Sequence, residues 1–238
     1  AWIRGGTHMQ LEQFLQLLLR NGYAVASLNY RLVPEGVFPA PIHDVKAAVR
    51  YLRAHAHELG INPERIGVAG ESAGAHLAQL LAVSADQPSL EGDLGNAAFS
   101  SRVKAAVSYY GIADVRRLAG ERIDQGCKNP WVYDPNKPNE AEYGLLGGGN
   151  LDTPEQQQRA LLASPIHYVD AGDPPMLLLH GRQDCVVAVV QSQAMHAALQ
   201  KAGVPSQLRL IAADHAEAKF YTDPQLQRLL LDFLRTYL

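Results

Sequence analysis

Short apolar runs alternate along the chain with segments of helical period, and this alternation constrains the fold more than any other feature. The runs, each short enough for a buried strand, span residues 23–28, 66–69, 103–110, 176–179 and 208–212. An order of strand, helix, strand requires parallel strands joined by crossovers, with helices on both faces of the sheet. The sequence therefore predicts an α/β protein with a mostly parallel, doubly wound sheet.

The segments between these runs contain the helix signals. Apolar residues three and four positions apart predict one buried helix face, formed by Ile42, Val45, Val49, Leu52, Ala56 and Leu59. Further helices are predicted at residues 73–83 and at 189–202, where Gly203 is expected as the C′ residue. A last helix is predicted to start near Pro224.

The composition is that of an ordinary globular protein and argues against several classes of function. The 238 residues are 47% hydrophobic and include 21 Lys and Arg against 24 Asp and Glu. Without a basic excess, binding to nucleic acid has little support, and every apolar run is far shorter than the roughly 18 residues of a membrane span. Because the sequence has no phosphate-binding loop, dinucleotide fingerprint or HExxH motif, we expect neither a cofactor nor a metal. The length fits a single domain over residues 1–238.

One interval breaks the alternation. Residues 112–174 separate two predicted strands, and loops of this length in a compact domain are usually lids or binding segments. Trp131, Tyr133 and Tyr143 are therefore candidates for the walls of a substrate site. An irregular surface excursion with its own small aromatic cluster is the alternative.

The strongest chemical signal is a G-x-S-x-G motif at residues 70–74. It follows the run 66–69 directly and precedes a helical pattern, the context of a nucleophilic serine on a tight strand-to-helix turn. Such a turn presents the Ser72 hydroxyl at the C-terminal edge of the sheet. We expect Gly70 and Gly74 to be required because side chains there would collide with the neighbouring strand and helix. A glycine-rich turn that merely starts a helix is the alternative.

A nucleophilic serine needs a base, and the base needs an acid that fixes its tautomer. Asp184 follows the run 176–179 and His215 follows the run 208–212, which gives the order nucleophile, acid, histidine expected of this arrangement. All three residues are predicted at one edge of the sheet. Asp214 is a weaker candidate for the acid because an adjacent residue rarely reaches the Nδ1 side of its neighbour's ring. The remaining candidates are expected to be hydrogen-bonded structural groups: His76, His180, Asp44 and Glu71.

The two cysteines, Cys127 and Cys185, are too few for a disulfide scaffold and lack the spacing of a zinc or redox site. They form either one bridge or two buried thiols. A bridge would tie the segment 112–174 to the loop that contains Asp184 and would stabilise the fold by about 4 kcal/mol.

Several motifs occur together along the chain: residues 30–35, residues 38–40 leading into Asp44, the G-x-S-x-G motif, Ser164-Pro165, and His180-Gly181 with Asp184. In these the chain resembles carboxylesterases of the α/β-hydrolase superfamily, on the hormone-sensitive-lipase-like branch and close to its bacterial feruloyl-esterase-like members. The resemblance implies that a small-molecule carboxylic ester is hydrolysed through an acyl-enzyme. It also implies that Ser72 is the nucleophile, His215 the base and then the acid, and Asp184 the residue that orients His215.

The resemblance further implies an oxyanion hole near the start of the chain. Relatives have a His-Gly-Gly segment there, often followed by an aromatic residue, whereas this sequence has Arg4 in place of the histidine and His8 in place of the aromatic. The expected donors are the backbone N–H groups of Gly5, Gly6 and Ala73, so the substitutions need not remove the hole. Loss of one such donor typically costs about 10² to 10³ in rate.

In the superfamily this glycine segment follows the third strand of the sheet. We therefore expect two preceding strands to be absent, a deficit of roughly 40 to 60 residues, and the natural protein to be longer at its N-terminus. Within the same chemistry, acetylated or feruloylated sugars, arylformamides and peptides are alternative substrates. A non-catalytic binding protein on a hydrolase scaffold is the alternative from another class, and Arg4 is the residue that suggests it.

Overall fold

The computed structural model describes residues 2–3, 12–85, 87–127, 144–148, 151 and 153–238. The helices are α1 (Glu12–Arg20), α2 (Ala40–Ala54), α3 (Ala56–Leu59), α4 (Ala73–Val83), α5 (Pro88–Glu91), α6 (Leu118–Asp124), α7 (Pro154–Leu162), α8 (Val190–Lys201), α9 (Lys219–Thr222) and α10 (Pro224–Tyr237), with a 3₁₀ turn at Pro165–Tyr168. The strands are β1 (Val68–Glu71), β2 (Ala106–Tyr109), β3 (Met176–Gly181) and β4 (Ser206–Ile211).

The four strands form one parallel sheet in the order β1-β2-β3-β4. Ala106 of β2 lies opposite Val68 of β1 and Met176 of β3, and Met176 in turn lies opposite Ser206 of β4. Each connection between neighbouring strands contains a helix, as parallel pairing requires. The carboxyl ends of all four strands therefore meet at the same edge of the sheet.

Helices cover both faces of this sheet. Alternate side chains of β3 enter two different clusters, so that Met176 and Leu178 pack with residues of α2, α4 and α8 while Leu177 and Leu179 pack with residues of α1 and α10. This period of two is that of a strand buried on both faces. The predicted doubly wound parallel architecture is confirmed.

Several helix boundaries follow the predicted signals. Helix α4 has the predicted span, and α8 is followed by Gly203 with a φ of 79°, the left-handed conformation expected of a C′ residue. Helix α10 begins at Pro224, where the side chain of Asp223 accepts a hydrogen bond of 2.8 Å from the backbone N–H of Gln225. None of the described helices is long and apolar enough to cross a membrane.

Two predictions of secondary structure are wrong. Residues 23–28 are not a strand: Tyr23, Val25 and Leu28 pack partly against the core, but their backbone joins no ladder within the described chain. An apolar run predicts burial, whereas a strand also needs a pairing partner. The long helix predicted from Ile42 to Leu59 is broken at His55, which interrupts the helical period, and Leu59 is 48% exposed instead of buried.

Described parts of the segment 112–174 pack into the core. Leu145, Ala160 and Ala163 are fully buried in the cluster that also contains α4. The hydroxyl of Ser164 accepts a hydrogen bond of 3.0 Å from the backbone N–H of Val115 and so joins the two ends of the segment. The candidate wall residues Trp131, Tyr133 and Tyr143 lie outside the described residues.

Candidate active site

Ser72 occupies the turn between β1 and α4. Its φ of 51° lies in the left-handed region, where residues other than glycine are uncommon, and such strain clusters at functional sites. The backbone is held on both sides, because the N–H of Ser72 donates to the carbonyl of Tyr109 at 2.9 Å and its carbonyl accepts from the N–H of His76 at 2.9 Å. The sequence thus folds into a turn that fixes the position of the serine hydroxyl.

The two glycines of the motif have different roles in this turn. A Cβ atom added to Gly70 would lie 2.3 Å from the carbonyl oxygen of Gly74, so the approach of strand and helix requires glycine there. A Cβ atom added to Gly74 would meet nothing within 4 Å. The expectation that both glycines prevent a collision is therefore wrong for Gly74.

The side chains of Ser72, His215 and Asp184 form one continuous hydrogen-bonded chain. Oγ of Ser72 lies 3.0 Å from Nε2 of His215, and Nδ1 of the same ring lies 2.7 Å from Oδ2 of Asp184. The three residues follow β1, β4 and β3, so the shared sheet edge brings them together. The side chain of Asp184 is fully buried and that of His215 is 15% exposed, so the chain runs from the interior towards the surface.

These contacts define the tautomer of His215. The carboxylate of Asp184 only accepts hydrogen bonds, so the proton of the neutral imidazole lies on Nδ1. Nε2 is then the acceptor for the hydroxyl proton of Ser72. This is the arrangement in which a histidine can act as a general base towards a serine.

The loop after β3 holds Asp184 in its ionised form. Oδ1 of Asp184 accepts hydrogen bonds from the backbone N–H groups of Val186 and Val187, each at 2.8 Å. Burial raises the pKa of this carboxyl, but hydrogen bonds from His180 and His215 outweigh that effect and lower the pKa to about 2. Asp184 is therefore a carboxylate at any pH near neutrality.

His180 is a second histidine on the same carboxylate. Its Nε2 donates to the carbonyl of Val187 at 2.9 Å and lies 3.3 Å from Oδ2 of Asp184. Nδ1 lies 2.7 Å from the hydroxyl of Ser192, which donates to it. The ring is fully buried and both nitrogens are occupied, so His180 fixes the loop that holds Asp184.

Residues that follow α6 bind this loop. A disulfide joins Cys127 to Cys185, the residue that follows Asp184. The side chain of Gln125 donates to the carbonyl of Asp184 at 2.7 Å and accepts from the N–H of Val189 at 3.0 Å. Of the two alternatives that the sequence leaves open for the cysteines, the structure has the bridge.

The other ionisable candidates are hydrogen-bonded away from the serine. Oδ1 of Asp214 accepts from the backbone N–H of His215 at 2.7 Å and does not face Nδ1 of the ring. His76 lies between the indole N–H of Trp2 and the carbonyl of Ala163, and burial lowers its pKa to about 4, so the ring is neutral. Asp44 pairs with the guanidinium of Arg31, and Glu71 accepts from Tyr110 and Tyr221.

One predicted oxyanion donor lies in the described chain. Ala73 is the first residue of α4, and the N–H groups of the first helical turn have no acceptor within the helix. Its N–H is also at the positive end of the helix dipole. Gly5 and Gly6, with the substituted neighbours Arg4 and His8, lie outside the described residues. Among the residues that the structure describes, no group of three or more His, Cys, Asp or Glu side chains is placed to hold a metal ion.

Three residues near the triad were not identified as site residues from the sequence. The His180 contact has a signal in its spacing of four residues from Asp184, within one strand-to-loop segment. Gln125 has none, because its partners are distant in the sequence and depend on how the segment 112–174 folds back. Tyr110 directly follows β2, and a residue at a strand end is the signal that would have placed it at this edge.

Comparison with known proteins relates the chain to a group of esterases. The sequence pattern of the BD-FAE family matches residues 1–199. Esterase LipQ of Mycobacterium tuberculosis is 34% identical over 218 residues, which cover 91% of this chain and 48% of LipQ. Esterase LipC of the same organism is 31% identical over 199 residues, 82% of this chain and 44% of LipC. The chain thus spans about half the length of these relatives.

Solved structures share the fold over nearly the whole chain. A truncated carbohydrate esterase from gut microbiota superposes with a TM-score of 0.83 at 30% identity, covering 99% of this chain and 81% of that protein. An acetyl ester-xyloside bifunctional hydrolase from Caldicellulosiruptor lactoaceticus gives a TM-score of 0.77 at 26% identity, covering 99% and 79%. With a family pattern that matches residues 1–199 and these structural relatives, the chain belongs to the BD-FAE family and has an α/β-hydrolase fold.

Proposed function

We propose that the protein is a serine hydrolase that cleaves carboxylic esters of small or medium acyl or aryl substrates through an acyl-enzyme. One observation carries the proposal: the unbroken chain of hydrogen bonds from the strained Ser72 through His215 to the buried, ionised Asp184. The esterase names of the relatives support the same reaction class.

In the proposed mechanism Oγ of Ser72 attacks the ester carbonyl while Nε2 of His215 takes the hydroxyl proton. In the imidazolium that forms, Nδ1–H stays hydrogen-bonded to Asp184, and the negative charge of this carboxylate stabilises the positively charged ring. His215 then gives the proton to the leaving alcohol, and the acyl group remains on Ser72. In the second half His215 takes a proton from water, which attacks the acyl carbonyl. The bond from that carbon to Oγ of Ser72 then breaks, His215 returns the proton to Oγ, and the acid is released.

The oxyanion of each tetrahedral intermediate needs donors close to Ser72. We assign the N–H of Ala73 to this role because it opens α4 next to the nucleophile, and the helix dipole favours negative charge there. Gly5 and Gly6 are proposed as the other donors on their sequence motif alone. Because the donors are backbone groups, Arg4 and His8 would act on the shape of the hole and not on its chemistry.

The proposed substrate is a small-molecule ester. Two structural relatives are a carbohydrate esterase and an acetyl ester-xyloside hydrolase, which favours acetylated sugars among the esters to be tested. We propose residues 112–174 as the substrate-binding insert of a single domain, with Trp131, Tyr133 and Tyr143 as its aromatic residues. A panel of acyl esters of graded length, acetylated xylose, feruloyl esters, an arylformamide and a peptide would separate esterase activity from the other reactions of the same triad.

A non-catalytic binding protein on this scaffold is the second candidate, because Arg4 replaces the histidine expected beside the oxyanion glycines. A fluorophosphonate probe distinguishes the two. The proposal predicts covalent labelling of the wild type at Ser72, located by mass spectrometry, and no labelling of Ser72→Ala. A folded wild type that is not labelled would favour the binding protein.

A further inference from the structure

Tyr110 packs against the ring of His215, and this contact lies outside the chain of hydrogen bonds described above. The centroids of the two rings are 4.7 Å apart, and their planes meet at 63°. Tyr110 is the first residue after β2, the strand between β1 and β3. It therefore leaves the sheet edge between the strands that present Ser72 and Asp184, and its side chain is fully buried.

The hydroxyl of Tyr110 is held by two other side chains. It donates to Oε2 of Glu71 at 2.8 Å and lies 2.5 Å from the hydroxyl of Tyr221, which also donates to Glu71. Burial raises the pKa of both phenols, and the charge of Glu71 raises it further, so both remain protonated. The three groups form a closed cluster that fixes the outer end of the Tyr110 ring.

The backbone of Tyr110 is held at the other end. Its φ of 42° lies in the left-handed region, where a bulky residue is an outlier, and its N–H donates to the carbonyl of Leu179 at 2.7 Å. Strain of this kind persists only where the surroundings impose it. The ring is thus fixed at both ends and forms a rigid wall beside His215.

We infer that Tyr110 is a positioning residue, which keeps the imidazole of His215 between Ser72 and Asp184, and that Glu71 and Tyr221 hold Tyr110 in place for this purpose. The inference rests on the proposed function. The imidazole turns about two side-chain bonds, and a ring that packs against it removes rotamers that point away from Ser72. A displacement of about 1 Å in such a constellation can cost about 10²-fold in rate.

The test compares variants that remove the ring with variants that only release it. Tyr110→Leu removes the wall and is expected to lower kcat about 30-fold with KM changed less than about threefold. Tyr110→Phe keeps the ring but removes the hydroxyl that contacts Glu71 and Tyr221, so we expect an intermediate loss of about threefold in kcat. Tyr237→Phe is the matched control, with kcat unchanged. Tyr237 precedes Leu238, whose carbonyl accepts from Arg65 before the start of β1, at the edge of the sheet opposite to Ser72.

If Tyr110→Leu does not fold, the double variant Tyr110→Phe with Tyr221→Phe takes its place. It keeps both rings but abolishes every hydrogen bond within the cluster, and we expect kcat to fall about 10-fold with little change in KM. A kcat within twofold of the wild type in this folded variant would overturn the inference. A raised KM with unchanged kcat would overturn it as well, since that is the result of lost substrate binding.

A measurement without substrate separates this inference from the proposed function. The Nδ1 proton of His215, which is hydrogen-bonded to Asp184, should give a proton NMR resonance far downfield in the wild type. This resonance should be absent in His215→Gln. We expect the resonance to broaden or disappear in Tyr110→Leu and in the double variant, and to persist in Tyr237→Phe. Persistence in the disrupted variants refutes the positioning role, whereas an inactive wild type with an intact resonance refutes only the ester hydrolysis.

Discussion

The buried ring of His180 contacts the carboxylate of Asp184, with Nε2 of His180 3.3 Å from Oδ2 of Asp184. The same oxygen accepts from Nδ1 of His215 at 2.7 Å. The group that orients His215 is therefore itself held in place, by a ring that is hydrogen-bonded to Val187 and Ser192. Through these contacts the loop after β3 keeps the buried carboxylate of Asp184 ionised and oriented towards His215.

Replacement of this carboxylate tests the tautomer of His215. Asp184→Asn keeps the shape of the side chain, but its amide can donate to Nδ1 of His215. The ring proton then moves to Nε2, and a protonated Nε2 cannot accept the hydroxyl proton of Ser72. We expect kcat to fall about 10⁴-fold. The steady-state rate on a chromogenic short-chain ester measures this, and the conservative control is His180→Asn, for which a smaller loss is expected because Asp184 remains. A variant Asp184→Asn with more than a tenth of the wild-type kcat would contradict the assigned role.

The two glycines of the serine turn should respond differently to alanine. Gly70→Ala places a Cβ atom against the backbone of Gly74 and is expected to lower the free energy of unfolding by about 3 kcal/mol. Gly74→Ala has room for its Cβ atom and lies in a helix, so we expect a change within about 1 kcal/mol. Urea unfolding of both variants provides the comparison. Equal destabilisation would contradict the steric requirement for glycine at position 70.

His76 should make the stability of the fold depend on pH. The ring titrates near 6.5 in the unfolded chain, but burial lowers its pKa to about 4 in the fold, although the hydrogen bond to Ala163 opposes this. Between pH 6.5 and 4 the unfolded chain binds more protons than the folded protein. The contribution of neutral His76 to the free energy of unfolding is therefore fully present above pH 6.5 and is lost as the pH falls towards 4, by about 3 kcal/mol in total.

The matched variant for this prediction is His76→Gln. It has a lower stability at pH 7 because a buried ring and its hydrogen bonds are lost, but it lacks the titrating group. Urea unfolding at several pH values between 7 and 4.5 should give a steeper loss of stability in the wild type than in the variant. Parallel curves would exclude a neutral, buried His76 as the source.

The disulfide between Cys127 and Cys185 should stabilise the fold, because it closes a loop with a sequence separation of 58. Loop-closure entropy gives about 4 kcal/mol for such a bridge. We expect the double variant Cys127→Ser with Cys185→Ser to melt about 10 °C below the oxidised wild type, and a reductant to lower the melting temperature of the wild type alone. Alkylation of a non-reduced, unfolded sample followed by mass spectrometry checks the bridge itself, and two free thiols would contradict it.

Much of the site could be predicted because its residues lie at or shortly after the ends of strands. β3 is buried on both faces and is visible as an apolar run, while β1 and β4 each overlap an apolar run. Parallel strands end at one edge, so Ser72, Asp184 and His215 follow from the order of elements. The turn at Ser72 also has its own local signal in the flanking glycines. These features depend on short segments of sequence, each interpretable by itself.

The remaining features depend on contacts between distant segments. The end of α6 reaches the loop of Asp184 through Gln125, and no local pattern encodes which loop it meets. Tyr110 touches His215 because β2 lies between the strands of the triad, which is a property of the strand order. The exposure of Leu59 likewise follows from a break at His55 that apolar periodicity does not register.

The most direct test of the proposed mechanism is the initial rate of 4-nitrophenyl acetate hydrolysis by the wild type and by Ser72→Ala, both shown to be folded by circular dichroism. Removal of Oγ leaves His215 with nothing to activate as a nucleophile, so we expect the variant to lose at least about 10³-fold in kcat. A variant Ser72→Ala that hydrolyses the ester as fast as the wild type would contradict the account.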